Sequence, residues 1–149
     1  PGSYSYEQYL RVVLELGLPP AALDEAYRRA VFNVVAVDQD DHVKNFGFLM
    51  DRSGAWRLAP AYDITFARGN GFTRHHQLTL NGKVEGFTRA DLLTLGAKFG
   101  LKRDGAAIVD QVVEAVRGWP GHAAETGVPK ARVAAIGELH RRMGAGTAA

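Results

Sequence analysis

Ala30-Val31-Phe32-Asn33-Val34-Val35-Ala36-Val37 runs directly into Asp38-Gln39-Asp40-Asp41-His42-Val43-Lys44-Asn45. The first eight residues are apolar except for Asn33; the next eight carry three carboxylates, an imidazole, an ammonium and two amides. A helix that is apolar nearly all round belongs at the centre of a domain, because it has no face to give to water. The polar run after it is too short for an element and reads as a loop. Working upstream, Leu23, Ala26, Tyr27, Ala30, Val31, Val34 and Val35 recur at three and four, which predicts a helix over 21–36. Pro20 suits its first position. Before it, Ser5-Tyr6-Glu7-Gln8 fits a capping box that starts a helix ended by Gly17.

Downstream, Phe46–Met50 and Ala55–Leu58 read as two short strands about the turn Asp51-Arg52-Ser53-Gly54. Gln77-Leu78-Thr79-Leu80 leads into Asn81-Gly82, a hairpin signal. Thr88-Arg89-Ala90-Asp91 starts a helix to about Phe99. Further helices are expected over 103–118 and 129–143, and the tail 144–149 reads as loose. The fold class is mainly α with small β-hairpins, one domain over 1–149.

Composition narrows the function. The chain has 149 residues, 46% hydrophobic and 23% charged, ordinary globular values. Without cysteine there is no disulfide, thiolate chemistry or zinc finger, and the cytoplasm is the default compartment. A net charge of +2 is too small to point to nucleic acid. No apolar run approaches the roughly 18 residues of a membrane span, so no membrane association is expected. The chain opens on Pro1, which reads as a processed start or a piece of a longer protein.

The chemistry is concentrated in the loop. If the four-residue turn 51–54 sets the hairpin register, Met50 faces Ala55, Leu49 faces Trp56 and Gly47 faces Leu58. Asn45 then falls opposite Pro60, and Asp63 lies three residues beyond, at most about 10 Å of chain. Asp40, Asn45 and Asp63 can therefore converge at one end of the hairpin. Carboxylate and amide oxygens suit Mg²⁺, which keeps waters and completes its shell with phosphate oxygens.

The spacing Asp40-x-x-x-x-Asn45 followed by Asp63 resembles the catalytic and metal-binding set of protein kinases. Asp40-x-His42-x-x-Asn45 is similar to the catalytic loop of phosphoinositide kinases. The wider string, Phe32-Asn33-Val34-Val35, then Asp40–Leu49, then Trp56–Asp63, resembles the C-terminal region of HipA-type serine/threonine kinase toxins of bacterial toxin–antitoxin systems. It is densest over 30–66 and continues more weakly through Asn81-Gly82, Trp119-Pro120 and Gly127-Val128-Pro129.

The resemblance implies a protein-kinase-like C-terminal lobe with a catalytic loop over 38–45 and a metal-binding segment over 59–65. It implies ATP and Mg²⁺ as cofactors and a serine or threonine of a protein as acceptor. Asp40 matches the catalytic base, and Asn45 and Asp63 match the metal ligands. His42 matches a phosphate contact; Lys44 belongs to the motif, as a cation near phosphate or as a structural ion pair. Asp63 is followed by Ile64-Thr65 rather than Phe-Gly, so the usual activation-segment anchor is absent. Before the loop there is no glycine-rich turn and no lysine, so the N-terminal lobe is expected to be missing and to be supplied in cis or in trans. An antitoxin protein is a further expected partner. The alternatives are a truncated, non-catalytic lobe that binds a partner, and a lobe of a small-molecule kinase.

Several features take plainer readings. Asp40 and Asn45, taken alone, suit turns and caps. A calcium loop beginning at Asp38 lacks its Gly and its closing Glu. His75 and His76 point to opposite strand faces and read as a solvated segment rather than a metal pair. His122 and His140 read as surface or interface residues, and Trp56 and Trp119 as core anchors. Arg28-Arg29, Lys102-Arg103 and Arg141-Arg142 read as solvated helix faces.

Overall fold

The computed structural model describes residues 2–144, with side chains except at 102 and 141–144. Among these residues lie six α-helices: α1 (Tyr6–Glu15), α2 (Pro20–Val35), α3 (Arg89–Lys98), α4 (Lys102–Arg117), α5 (Trp119–Glu125) and α6 (Lys130–Gly144). Four short strands accompany them: β1 (Tyr4–Ser5), β2 (Phe48–Met50), β3 (Trp56–Leu58) and β4 (Leu78–Thr79). Of the tail expected to be loose, Gly144 closes α6 and 145–149 lie outside the described residues, as do the Lys102, Arg141 and Arg142 side chains.

Helix α1 starts where its capping box closes. Ser5 Oγ accepts from the Gln8 amide at 3.1 Å, and Gln8 Oε1 accepts from the Ser5 amide at 2.8 Å. It stops in a Schellman motif at Gly17, where the Leu18 amide donates to the Val13 carbonyl at 3.2 Å. α2 runs through the centre and packs on α1, α4 and α6. Ala26, Tyr27, Ala30 and Val31 of α2 are fully buried, with Tyr6, Leu10 and Val13 of α1 and Leu95 of α3 around them. Truncating one such side chain, Leu10→Ala for instance, costs about 2–5 kcal/mol through lost burial and the cavity left behind. α3 starts from the expected Thr88–Asp91 capping box. It approaches α2 closely at Gly96, where a Cβ would meet the Tyr27 ring at 3.1 Å. The Tyr27 hydroxyl donates to the Leu92 carbonyl at 2.8 Å and fixes that packing.

The strands depart from expectation. β2 and β3 are antiparallel, with Phe48 opposite Leu58, Leu49 opposite Arg57 and Met50 opposite Trp56. That is one residue off the register expected from a four-residue turn. Asp51 and Ala55 pair instead, around a three-residue loop, and the Asp51 carboxylate accepts from the Ser53 and Ala55 amides. Asn81-Gly82 does form the tight turn expected of it, with Leu80 and Lys83 exchanging both amide bonds. Yet β4 has no long hairpin partner; it lies parallel to β1, Tyr4 opposite Leu78 and Ser5 opposite Thr79. The small sheets are thus one hairpin and one long-range parallel pair.

α5 was not expected, because Gly118 and Pro120 read as stops. Pro120 instead sits in the first turn, where its missing N–H would have no helical partner. Trp56 is 40% exposed, so it is no core anchor. Trp119 is half-buried and donates to the Val133 carbonyl at 3.0 Å, joining α5 to α6. Arg29 is mostly covered, not solvated: it donates to Glu25 at 2.9 Å and to the Ala59 carbonyl at 2.8 Å, pinning the segment after β3 to α2. Among the described residues no helix is long and apolar enough to cross a membrane.

Candidate active site

The 38–45 loop begins where α2 ends. Ala36 caps the helix, and Val37 adopts φ +61 while the Asp38 amide donates back to the Asn33 carbonyl at 2.8 Å. A left-handed conformation is costly for a β-branched side chain and usually falls to glycine or asparagine. Val37 is 6% exposed, so packing holds it there. The chain reverses at this point and Asp38 turns inward.

Asp38 is a splint. It is 2% exposed, and its carboxylate accepts from the Asp40 amide and the Thr65 amide, each at 3.3 Å. Burial pushes its pKa up to about 6, against the pull of those two donors. The backbone continues the link: the Gln39 amide donates to the Ala67 carbonyl at 2.9 Å, and the Ala67 amide to the Val37 carbonyl at 3.1 Å. The loop and the segment after Asp63 are therefore bound side by side.

Asp41 is buried completely. Its carboxylate accepts from the Tyr6 hydroxyl, from the Gln77 amide at 2.7 Å and faces His76 Nδ1 at 2.8 Å. Burial and the neighbouring carboxylate hold the Tyr6 hydroxyl well above its ordinary pKa, so it remains a donor. This corrects the reading of His75-His76 as solvated: His75 does face outward, 2.9 Å from Glu85, but His76 is 3% exposed and clamps the loop. Their opposite orientations were legible, and one inward His beside a doubled Asp was the available signal. Nothing in the spacing pointed to Tyr6 or Gln77.

Asp40, by contrast, is half-exposed and faces solvent space. His42 lies beside it, Nε2 to Oδ1 at 4.0 Å. A turn of 3-10 helix over Val43–Asn45, in a stretch expected to be wholly irregular, bends the chain back. Asn45 Nδ2 then donates to the Asp40 carbonyl at 3.0 Å, which fixes the amide and leaves its oxygen for another partner. Lys44 is exposed; its carbonyl accepts from the Tyr62 hydroxyl at 2.6 Å. That contact needs Gly47, since a Cβ there would meet Ala59 at 3.1 Å and the Tyr62 oxygen at 3.2 Å.

Asn45 and Asp63 line one small cleft with Asp38 and Asn33. Asp63 is exposed and takes φ +53, a conformation Asp tolerates better than most residues. Asn33 is 4% exposed, and its Oδ1 has no hydrogen-bond partner. Two carboxylates and two amides form an oxygen-rich cleft, and its one cation, Arg29, is already committed to Glu25 and Ala59. Such a donor set fits a hard divalent cation that completes its shell with water and phosphate. It does not fit a closed structural site: among the described residues no three His, Cys, Asp or Glu side chains are grouped to hold a metal.

The structure thus brings Asn45 and Asp63 to one cleft and ties Asn45 to the Asp40 backbone, with His42 beside Asp40; Asp40, His42 and Lys44 are not among the residues that line the cleft. The family model described as HipA-like C-terminal domain matches residues 2–119. No curated protein and no solved structure matches the chain.

Proposed function

Because this chain belongs to the HipA-like C-terminal domain family, we propose that it is the catalytic-loop portion of a HipA-like toxin kinase. The reaction is transfer of the ATP γ-phosphoryl group to a serine or threonine hydroxyl of a protein. The observation that carries this reading is the arrangement around Asn45. Its amide is pinned to the Asp40 backbone, while its oxygen shares a cleft with Asp63. A base and a metal-side ligand are thereby held in fixed relation by one hydrogen bond.

Asp40 has the exposure a base needs to meet a protein hydroxyl. Its carboxylate accepts that hydroxyl's proton as the oxygen bonds to the γ-phosphorus and the bond to ADP breaks. Asn45 and Asp63 would hold Mg²⁺, with Asn33 and Asp38 behind them. When bound, the cation neutralises charge on the phosphates. His42, beside Asp40, is suited to a phosphate oxygen. Asp38 is too buried and too fully hydrogen-bonded to serve as the base; it positions the loop.

Residues 2–37 hold two helices and no phosphate-covering loop, so the reaction requires a second lobe, in cis or as a separate chain. An antitoxin is the other partner this family reading implies. The test is phosphate transfer from labelled ATP to protein, by residues 1–149 alone and with the upstream lobe restored. Little transfer is expected alone and recovery with the lobe, because unpositioned nucleotide reacts poorly. Asp40→Ala, Asn45→Ala and Asp63→Ala should each abolish the recovered activity; for Asp40→Ala the loss is on the order of 10²–10⁴. Robust transfer by residues 1–149 alone would refute the two-lobe requirement, and a fully active Asp40→Ala enzyme would refute the base.

A further inference from the structure

A cavity of about 700 Å³ opens between α2, α4, α5 and α6, with Ile64–Phe66 as its floor. That volume lies within the usual range of small-molecule sites, and the walls have their usual character: mostly apolar and aromatic, with few polar groups. Phe66 and Trp119 supply the aromatic faces, and Ile136 is buried at the back. Arg132 stands at the wall, exposed and without an ion pair among the described residues; no Asp or Glu lines the space. Part of this wall, from His122 to His140 and including Arg132, lies beyond the residues matched by the family model.

We propose that the cavity binds an amphipathic anion: an alkyl or aromatic body against Trp119 and Phe66, and one carboxylate or phosphate head at Arg132. A lone guanidinium beside an apolar hollow with no carboxylate in its lining favours that combination over a cation or a sugar. The site communicates with the catalytic loop through its floor. Thr65 donates to the Asp38 carboxylate at 3.3 Å, and Ala67 exchanges backbone bonds with Val37 and Gln39. On the far wall His140 Nε2 donates to the Ala36 carbonyl at 3.1 Å, one residue before the strained Val37. Of the two readings of His140, surface or interface, the half-buried ring between helices fits the second, and burial lowers its pKa. An occupant seated between Phe66 and α6 stiffens both strands of that link.

The proposal is tested on residues 1–149 with Trp56→Phe, which leaves Trp119 as the only tryptophan. Decanoate, decyl phosphate and decanol are titrated while Trp119 fluorescence is followed. One anion per chain should bind saturably, and the tighter of the two heads identifies the source. Arg132→Gln should weaken the anions roughly tenfold and decanol less than about twofold. Ala115→Phe, which fills the cavity from an exposed wall position, should abolish all three without lowering the melting temperature. Amide exchange at Thr65 and Ala67 should slow several-fold on binding. A non-saturable response, decanoate binding indifferent to Arg132→Gln, or binding that survives Ala115→Phe would overturn the site. Unchanged exchange with saturable binding would overturn the coupling. None of these readouts depends on kinase activity.

Discussion

Replacing Asp41 by alanine removes one carboxylate that three buried or nearly buried groups face: the Tyr6 hydroxyl, His76 Nδ1 and the Gln77 amide. All lie where water cannot replace the lost partner, since Tyr6 is fully buried and His76 and Gln77 are 3% and 6% exposed. An orphaned buried polar group costs about 1–3 kcal/mol, and three are left here. Local relaxation shares the loss, so Asp41→Ala is expected to cost about 3–5 kcal/mol in total. Tyr6→Phe deletes one hydrogen bond to a charged acceptor and should cost about 1.5–3 kcal/mol. Once Asp41 is gone the hydroxyl has no acceptor, so the double variant should fall short of the sum by about 1–2 kcal/mol. Urea unfolding of the wild type, both single variants and the double variant closes the cycle. A cost below about 1 kcal/mol for Asp41→Ala, or additivity within about 0.3 kcal/mol, would refute the clamp.

Asp38 gives a pH dependence of defined sign. Its folded pKa of about 6 lies above its ordinary value, so the contribution from its proton is full below about pH 4 and is lost as the pH rises through 6. Stability of wild type relative to Asp38→Asn should fall by up to about 3 kcal/mol between pH 4 and pH 7, and a difference independent of pH would contradict the burial argument. Gly96→Val should destabilise by about 1–3 kcal/mol in thermal unfolding, because its Cβ would meet the Tyr27 ring at 3.1 Å. Asp63→Asn keeps an exposed side chain that tolerates positive φ, so the melting temperature should move by no more than about 2 °C. On the proposed kinase reading, the same variant should lose phosphoryl transfer once a second lobe is supplied.

Local signals were read where the physics is local. The capping boxes at Ser5 and Thr88 are visible because both partners lie within four residues. The apolar run 30–37 announces a central helix through its own composition. What escaped depends on distance or on a single turn. The parallel pairing of β1 with β4 joins residues 74 apart, and no periodicity encodes it. The one-residue register shift was set by the Asp51 carboxylate folding over its own turn, a choice invisible to residue spacing. Within the site, the exposed half of the Asp40-Asp41 pair was assigned a role from resemblance. The buried half went unassigned because its partners, Tyr6 and His76, lie 35 residues away on either side. The burial of His76 is hidden from the sequence for the same reason, since it depends on Asp41, 35 residues away.

The clamp on Asp41 also orders events in time. A chain made from its N-terminus presents Tyr6 and Asp41 well before His76 and Gln77 exist. α1 and α2 can pack early, because their contacts are local and closing a short loop costs little entropy. The polar loop cannot complete its hydrogen bonding until β4 arrives to lie beside β1. Until then a carboxylate destined for full burial stays hydrated, which opposes premature closure of the loop. The loop's hydrogen bonding and most of the packing on α2 thus both wait for residues beyond 75, and a synthesis arrested before residue 76 would yield α1 and α2 without the clamp on Asp41 and without the α3 and α4 helices that complete the core.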